Sequence, residues 1–262
     1  GAAYALMARA LLYAASPLTS RMEGRGAVYD EELCRQAAEA AYEVIASGVL
    51  GEIICIRSNW SGFARRWDWQ TLQRECAGNL LNTGPHPVDQ AVVLFGDAYP
   101  EVFCRMAAYH FDFGGDADNF CALTLYGKGR PTIEVQVSSF LAYPQGELYN
   151  IQGTCGGLSG GPAELRWKYF DPKSAPKHTL WKPWSFDRQY CSETLDWQEE
   201  SWRFAEASSN ANGFVSLSRG VYRNLYGVLR NGAGREITLE QVRRQIFVME
   251  EAHRQNPLPV NE

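Results

Sequence analysis

Residues 78–96 read Gly78-Asn-Leu-Leu-Asn-Thr-Gly-Pro-His-Pro-Val-Asp-Gln-Ala-Val-Val-Leu-Phe-Gly96, which sets one histidine among small and polar residues ahead of an apolar run. In a continuous helix, Asn82, His86 and Asp89 would share one face, because they are four and three residues apart. The apolar residues would form a separate face that we expect to be buried: Leu81, Val88, Val92 and Phe95.

Two prolines flank the histidine and leave the start of this helix open. Pro85 and Pro87 lack a backbone N–H and fit best in a first turn, where that donor has no partner. His86 would then lie at the positive end of the helix dipole, which favours a neutral imidazole able to accept a proton. If the helix begins near Gly78 instead, two carbonyls lose their donors and the helix kinks beside His86. His86 is therefore a candidate general base, although a capping role fits the same residues.

Composition limits the classes of protein to consider. The chain has 262 residues, of which 45% are hydrophobic and 13% aromatic, and this suits a globular protein that can be one large domain. The net charge is −5 and no basic block carries interleaved aromatics, which argues against a nucleic-acid partner. No apolar run reaches the roughly 18 residues that span a bilayer, so we expect no membrane partner. Four histidines without HxxxH spacing predict no metal site.

Cysteine usage predicts a cytoplasmic protein with reduced, buried thiols. The sequence has an odd number of cysteines, and none is close enough to another for a CxxC pair. They are scattered along the chain: Cys34, Cys55, Cys76, Cys104, Cys121, Cys155 and Cys191.

The remaining patterns predict an α+β fold built on a large, open, mainly antiparallel sheet with helices on one face. We expect residues 1–28 to be an N-terminal remnant or linker with a helical stretch and a loop, and residues 29–262 to form the α+β domain. Helices are predicted at 30–47, across 214–228, and after a Thr238 cap with Leu239, Val242, Ile246 and Met249 facing inward. Short turns predict antiparallel pairing of strands. The predicted strands are 52–60, 101–111, 119–126, 132–140, 148–154 and 165–170.

Three other segments each allow two interpretations. Arg66-Trp-Asp-Trp-Gln70 could be a binding rim with stacking faces, but for each tryptophan we favour a turn anchored in the core. Residues 153–161 contain five glycines without a GxGxxG pattern, and we interpret them as a turn between strands rather than a phosphate loop. Residues 172–200 are irregular and could be a surface arm or an extra pairing segment.

A family resemblance rests on three segments: Ile45-Ala-Ser-Gly-Val-Leu-Gly-Glu-Ile53, Arg66-Trp-Asp-Trp-Gln70 and residues 78–89. The third is the most specific, since it resembles a GGxLxDxGxHxxD helix. Together they resemble the C-terminal half of the glucose-fructose oxidoreductase/inositol dehydrogenase family (Gfo/Idh/MocA). With residues 149–154 and the last two helices, the resemblance covers about residues 29–255.

The resemblance implies a sheet that carries both a substrate site and an oligomer interface. Relatives also have an N-terminal Rossmann domain that binds NAD or NADP and carries a lysine in a Glu-Lys-Pro motif. The present sequence contains neither GxGxxG nor Glu-Lys-Pro. By itself, the chain is therefore expected to be inactive without a cofactor domain.

The resemblance also assigns roles to single residues. His86 corresponds to the proton-abstracting residue, and Asn82 replaces the family's catalytic carboxylate four residues earlier. An asparagine can orient the imidazole, but it cannot stabilise the imidazolium with charge. Asp89 is a candidate for binding substrate hydroxyls or for a local structural role. Weaker candidates for the substrate rim are Arg66, Trp69 and Gln70.

Two functions follow from these expectations. The first is the substrate-binding half of an NAD(P)-dependent oxidoreductase acting on the CH–OH group of a sugar or cyclitol, assembled as a homo-oligomer through the open sheet. The second is a non-catalytic sugar-binding or assembly module that lacks a cofactor domain.

Overall fold

A computed structural model describes residues 31–109, 113–143, 147–180, 191–203, 213–235 and 237–260. In residues 31–35 and 213–221 only the backbone is described. The helical stretch expected within residues 1–28 lies outside these ranges, as does part of the irregular segment at 172–200.

The described residues form five helices and eight strands in an α+β arrangement, in which seven strands follow one another, together with two 3-10 turns at Trp69–Thr71 and Gln73–Glu75. The helices are α1 Glu31–Ser47, α2 Asn79–Asn82, α3 Pro85–Phe95, α4 Gly213–Asn231 and α5 Leu239–Gln255. The strands are β1 Ile53–Asn59, β2 Glu101–Ala107, β3 Phe120–Tyr126, β4 Thr132–Ser138, β5 Tyr149–Gly153, β6 Gly156–Gly160, β7 Glu164–Tyr169 and β8 Gln198–Arg203.

The eight strands form one sheet in the order β2-β3-β4-β1-β5-β6-β7-β8. All neighbours are antiparallel except β1 and β4, which run parallel. Two helices and two strands lie between β1 and β4 in the sequence, and this long connection allows the parallel pairing. The predicted fold class is thereby confirmed.

The two faces of the sheet differ in polarity. A row of paired residues on the buried face is mostly apolar: Cys104, Leu123, Val135, Ser58, Tyr149, Gly160, Leu165 and Trp202. The adjacent row faces the opposite, open side and is mostly polar: Phe103, Thr124, Glu134, Arg57, Asn150, Ser159, Arg166 and Ser201. This alternation is typical of a sheet that is covered on one face only.

Helices cover the buried face. Val88, Val92 and Phe95 of α3 are at most 2% exposed, as the apolar pattern predicted. Helix α5 packs against both α3 and β2. Its buried residues are Arg244, Val248 and Ala252, whereas Leu239 is exposed, so the predicted inward face of this helix is wrong in part. The helix itself begins as predicted, since the Thr238 hydroxyl accepts the Gln241 N–H (3.1 Å).

The glycine-rich segment is a correction to the sequence analysis. Residues 156–160 form strand β6 in the middle of the sheet rather than a turn. Its glycines allow the neighbouring backbone to approach closely, since a Cβ at Gly160 would lie 2.2 Å from the Glu164 carbonyl oxygen. Within residues 172–200, the last three residues begin β8, which pairs with β7. Two predicted strands are shorter than expected, ending at Ala107 and Ser138.

The outer edge of β2 is closed by two amide side chains that follow one another at the end of α5. Gln255 accepts the Cys104 N–H (2.9 Å) and donates to the Val102 carbonyl (2.8 Å). Asn256 accepts the Met106 N–H (3.0 Å) and donates to the Cys104 carbonyl (2.9 Å). These amides satisfy backbone groups that would otherwise be open to another strand.

In the described ranges, no helix is both long enough and apolar enough to cross a bilayer. Six of the seven cysteines are described, and all six are free thiols. Cys55, Cys104 and Cys121 are buried, but Cys76 and Cys191 are exposed, so the prediction that the thiols are buried holds for only part of the set.

Candidate functional site

The segment that carries His86 is built from two helices in sequence. Helix α2 begins after Gly78 and ends at Asn82, and α3 begins at Pro85. Pro85 and Pro87 lie in the first turn of α3 and cannot donate to the carbonyls four residues earlier. The Thr83 carbonyl instead accepts the His86 N–H (3.3 Å). Both alternatives from the sequence thus hold in part, because a helix starts near Gly78 and restarts at the prolines.

The imidazole of His86 lies against the indole of Trp60, just beyond the end of β1. The ring centroids are 6.1 Å apart and the planes differ by 14°. Trp60 is 5% exposed, and its Nε1–H donates to the Ser58 hydroxyl (2.9 Å), which fixes the ring. Burial lowers the pKa of His86 below its usual value. The ring is therefore neutral near pH 7 and able to accept a proton.

Asp89 faces a different partner. Its Oδ1 accepts a hydrogen bond from Gln241 Nε2 on α5 (2.9 Å), and burial raises the pKa of its carboxyl group. The structure thus places Asp89 against α5 and His86 against Trp60, although their spacing suggested one shared face. The contact with Gln241 is compatible with the structural alternative given for Asp89.

Two further contacts hold the first turns of α3. Gln245 Nε2 on α5 donates to the Pro85 carbonyl (2.7 Å). The Tyr149 hydroxyl on β5 donates to Gln90 Oε1 (2.6 Å). The N-terminal part of α3 is therefore fastened to both α5 and the sheet, and little freedom is left to His86.

Asn82 is the last residue of α2. It is partly buried, and its backbone N–H donates to the Gly78 carbonyl (2.9 Å). Its side chain forms no hydrogen bond with any residue in the described part of the chain. Its role in orienting His86 stays a prediction.

The segment from Arg66 to Gln70 forms a polar loop held by its own aspartate. Asp68 accepts from Arg66 Nη2 (3.0 Å) and from the Gln70 N–H (3.0 Å). Trp67 is 76% exposed and Trp69 37% exposed, so the expected anchoring of one of them in the core is wrong. The two indoles are left available for contact with a ligand or another domain.

Arg66 and Gln70 line a small recess of about 40 Å³, whereas Trp69 does not. The recess also contains amide, hydroxyl and phenol groups from α2 and from the loops next to β2, β3 and β4: Asn79, Asn119, Ser139 and Tyr109. His86 is absent from its lining. The structure therefore joins two predicted rim residues in one recess, and it gives His86 a separate environment beside Trp60.

Sequence reasoning missed Trp60 and Asp118. Trp60 was only the last residue of a predicted strand, and nothing in the sequence indicated its contact with a histidine 26 positions later. Asp118 lies in the polar stretch Gly114-Gly-Asp-Ala-Asp-Asn119, which resembles an ordinary solvated loop. It is only 3% exposed, and burial raises its pKa to about 6.

Comparison with known proteins agrees with the fold and with the resemblance. Residues 38–159 match the family model described as GFO/IDH/MocA C-terminal domain. A solved oxidoreductase from Bacillus cereus is similar, with a TM-score of 0.62 and 16% identity over 89% of this chain and 66% of its own. An NAD-binding protein from Listeria innocua has a TM-score of 0.60 and 17% identity over 87% and 66%.

The chain spans less than two thirds of either solved structure. At these identities the similarity shows a shared fold. A search of curated proteins found no matching sequence.

Proposed function

We propose that this chain, which belongs to the Gfo/Idh/MocA family by its C-terminal domain, is the substrate-binding part of an NAD(P)-dependent oxidoreductase acting on the CH–OH group of a sugar or cyclitol. The observation that carries the proposal is the neutral, largely buried imidazole of His86 held against Trp60. His86 accepts the proton of the substrate hydroxyl. The free thiols of the described cysteines support action in the cytoplasm.

The described residues do not fit a dinucleotide. A dinucleotide site needs a glycine-rich turn that leads into a helix N-terminus. The glycine-rich segment here is strand β6, and strand β7 follows it. NAD or NADP would accordingly be held by residues beyond those described or by another chain. The chemistry assigned to the present residues is confined to binding substrate and accepting its proton.

The substrate class follows from the groups around the recess. Amide, hydroxyl and guanidinium side chains there can donate to and accept from several hydroxyl groups at once. Arg66, Gln70 and Asn79 supply this character, and Tyr109 adds an aromatic surface. A polyhydroxylated ring matches such a mixture of polar and aromatic contacts.

Binding can be tested on the chain as it stands. Glucose and myo-inositol are titrated at millimolar concentration while the indole N–H signals of the tryptophans are followed by NMR. We expect a saturable shift of the Trp67 signal, because its indole contacts Phe113 in the lining of the recess (ring centroids 6.1 Å apart). We expect none for Trp197, which lies at the far edge of the sheet next to β8. Gln70→Ala should weaken binding about tenfold, in keeping with the loss of one hydrogen-bonding group. Unchanged spectra with sugars and cyclitols would contradict the substrate class.

The proton-acceptor role needs the enzyme assembled with its cofactor-binding part. There, His86→Gln should lower kcat at least about 100-fold, as expected for loss of a general base. The matched control is His253→Gln, because burial also lowers the pKa of His253, although that residue lies at the end of α5. Full turnover by the His86 variant across pH would remove the assignment.

A non-catalytic sugar-binding or assembly module is the second candidate function. The observation that favours it is Asn82, which replaces the carboxylate expected by resemblance and provides no charge to stabilise a protonated His86. Saturable sugar binding together with no turnover in the assembled enzyme would support this alternative.

Homo-oligomer formation through the open face of the sheet also belongs to the proposal. The face carries the Arg57–Glu134 ion pair (2.7 Å) and, two strands away from Glu134, the apolar side chain of Phe103, which is 62% exposed. A mixture of apolar and paired polar groups is typical of protein interfaces. Analytical ultracentrifugation should show an oligomer that Phe103→Glu dissociates and Tyr42→Glu, on α1, leaves intact. A monomeric wild-type chain would contradict this part.

A further inference from the structure

We propose that Asp118 is a positioning residue for His86, acting by fixing the N-terminus of α2, the short helix that leads into α3. The inference rests on the proposed function of His86. Asp118 belongs to the loop before β3, far from His86 in sequence. Its influence would pass through the backbone of residues 78–88.

Asp118 binds the first turn of α2 with both its side chain and its backbone. Its Oδ2 accepts the Leu80 N–H (2.9 Å), and its carbonyl accepts the Asn79 N–H (2.8 Å). The Asn79 side chain then donates to the Asn119 carbonyl (2.8 Å) and to the Ser139 hydroxyl (3.1 Å). The start of α2 is thus attached at four points to the loop and to the end of β4.

Gly78 provides the space for this attachment. Its φ is +117°, which L side chains rarely adopt, and a Cβ there would lie 2.1 Å from Asp118 Oδ1. The carboxylate can therefore approach the helix N-terminus only because residue 78 has no side chain. Gly78 and Asp118 form one structural unit.

A run of backbone hydrogen bonds connects this unit to His86. The Gly84 N–H donates to the Asn79 carbonyl (2.8 Å), and the Val88 N–H donates to the Gly84 carbonyl (3.0 Å). Displacement of Asn79 would thus move Gly84, which caps α3, and with it the first turn that carries His86. Because the His86 imidazole lies against the fixed indole of Trp60, a small displacement of the first turn of α3 changes the burial of the imidazole.

A carboxylate at position 118 does not serve stability alone, because a buried charge is unfavourable for folding. A buried charge costs folding free energy, and the pKa of Asp118, about 6, reflects this cost even with backbone N–H donors around the group. Nearby Asp116 is similarly buried, but it caps a different element, since its Oδ1 accepts the Gln73 N–H (2.8 Å). Asp116 is therefore a matched control.

The test follows His86 directly and needs no cofactor. The pKa of His86 is measured by NMR titration of its ring protons, assigned with His86→Gln, in wild type, Asp118→Ala, Asp118→Asn and Asp116→Ala. We expect Asp118→Ala to raise the His86 pKa by about 0.5 pH units or more toward its ordinary value, since displacement increases its solvation. Asp118→Asn keeps an acceptor for Leu80 and should restore the wild-type value. Asp116→Ala should not change it.

Asp118→Ser is a milder disturbance of the same contact, and the conclusion is drawn from whichever of the Asp118 variants folds. An unchanged His86 pKa in a folded variant that has lost the Leu80 contact would overturn the proposal. An equal change in Asp116→Ala would also overturn it. Because activity is not measured, failure of His86 as a base in the assembled enzyme remains a separate result.

Discussion

The imidazole of His86 and the indole of Trp60 lie nearly parallel, 14° apart, at the junction between α3 and the end of β1. Trp60 is buried and held by its bond to Ser58, so the histidine is the partner whose environment depends on this contact. The contact contributes to the burial that lowers the pKa of His86, and the position of the residue in the first turn of α3 favours the same neutral form.

Removal of the Trp60 indole should bring the pKa of His86 back toward its ordinary value. In Trp60→Ala the ring gains solvent, and we expect the His86 pKa to rise by about 0.5–1 pH units toward the ordinary value. NMR titration of the ring protons measures it. Trp67→Ala, at a 76% exposed tryptophan, is the control. A His86 pKa that is the same in both variants would show that Trp60 does not determine its environment.

The stability of the chain should depend on pH through Asp118. Burial raises its folded pKa from 3.8 to about 6, so the stability it contributes is fully present below about pH 4 and is lost as pH rises through 6. Asp118→Asn removes this dependence. The unfolding free energy of the variant relative to wild type should therefore grow by about 2–3 kcal/mol between pH 4 and pH 8.

Urea denaturation at several pH values measures that difference. The buried histidines, whose pKa values are lowered, favour unfolding below pH 6.5, but they do so in both proteins and cancel. Asp171→Asn, at an exposed turn, provides the matched substitution. A difference that is constant with pH would mean that Asp118 keeps its ordinary pKa.

Strand β6 should not tolerate a methyl group at its last residue, Gly160, but the chain should tolerate one just beyond it, at Gly161. A Cβ at Gly160 would lie 2.2 Å from a backbone oxygen of β7, whereas a Cβ at Gly161 meets nothing within 4 Å. Gly160→Ala should lower the free energy of unfolding by about 2–3 kcal/mol, and Gly161→Ala should leave it within about 0.5 kcal/mol. Thermal and chemical denaturation compare them, and equal stabilities would exclude close packing of β6 on β7.

The edge of β2 should become open to pairing with another strand when the side-chain amide of Asn256 is removed. Asn256→Ala leaves the Met106 N–H and one acceptor site of the Cys104 carbonyl without a protein partner. We expect a loss of about 1–3 kcal/mol in unfolding free energy, together with self-association through the exposed edge. Denaturation and light scattering measure the two effects. Arg254→Ala, which removes only a surface ion pair with Glu251, should change neither.

Local patterns in the sequence were sufficient for most secondary structure. Alternation predicted β4, the apolar stripe predicted the buried face of α3, and the Thr238 cap placed the start of α5. These features depend on residues within a few positions of one another, and short-range geometry therefore fixes them. The glycine-rich strand was missed because its reason, the approach of the next strand, is not local.

The sequence by itself determined that His86 lies between two prolines in a helical segment with one apolar face, and it left open whether the helix begins at the prolines or near Gly78. Only the tertiary structure decided its surroundings, namely Trp60 beside the ring, Gln241 on Asp89, and Asp118 at the start of α2. Helical spacing fixes which side chains share a direction. It does not fix what lies opposite them, because those partners come from strands and helices 26 to 152 residues away that packing of the core brings together.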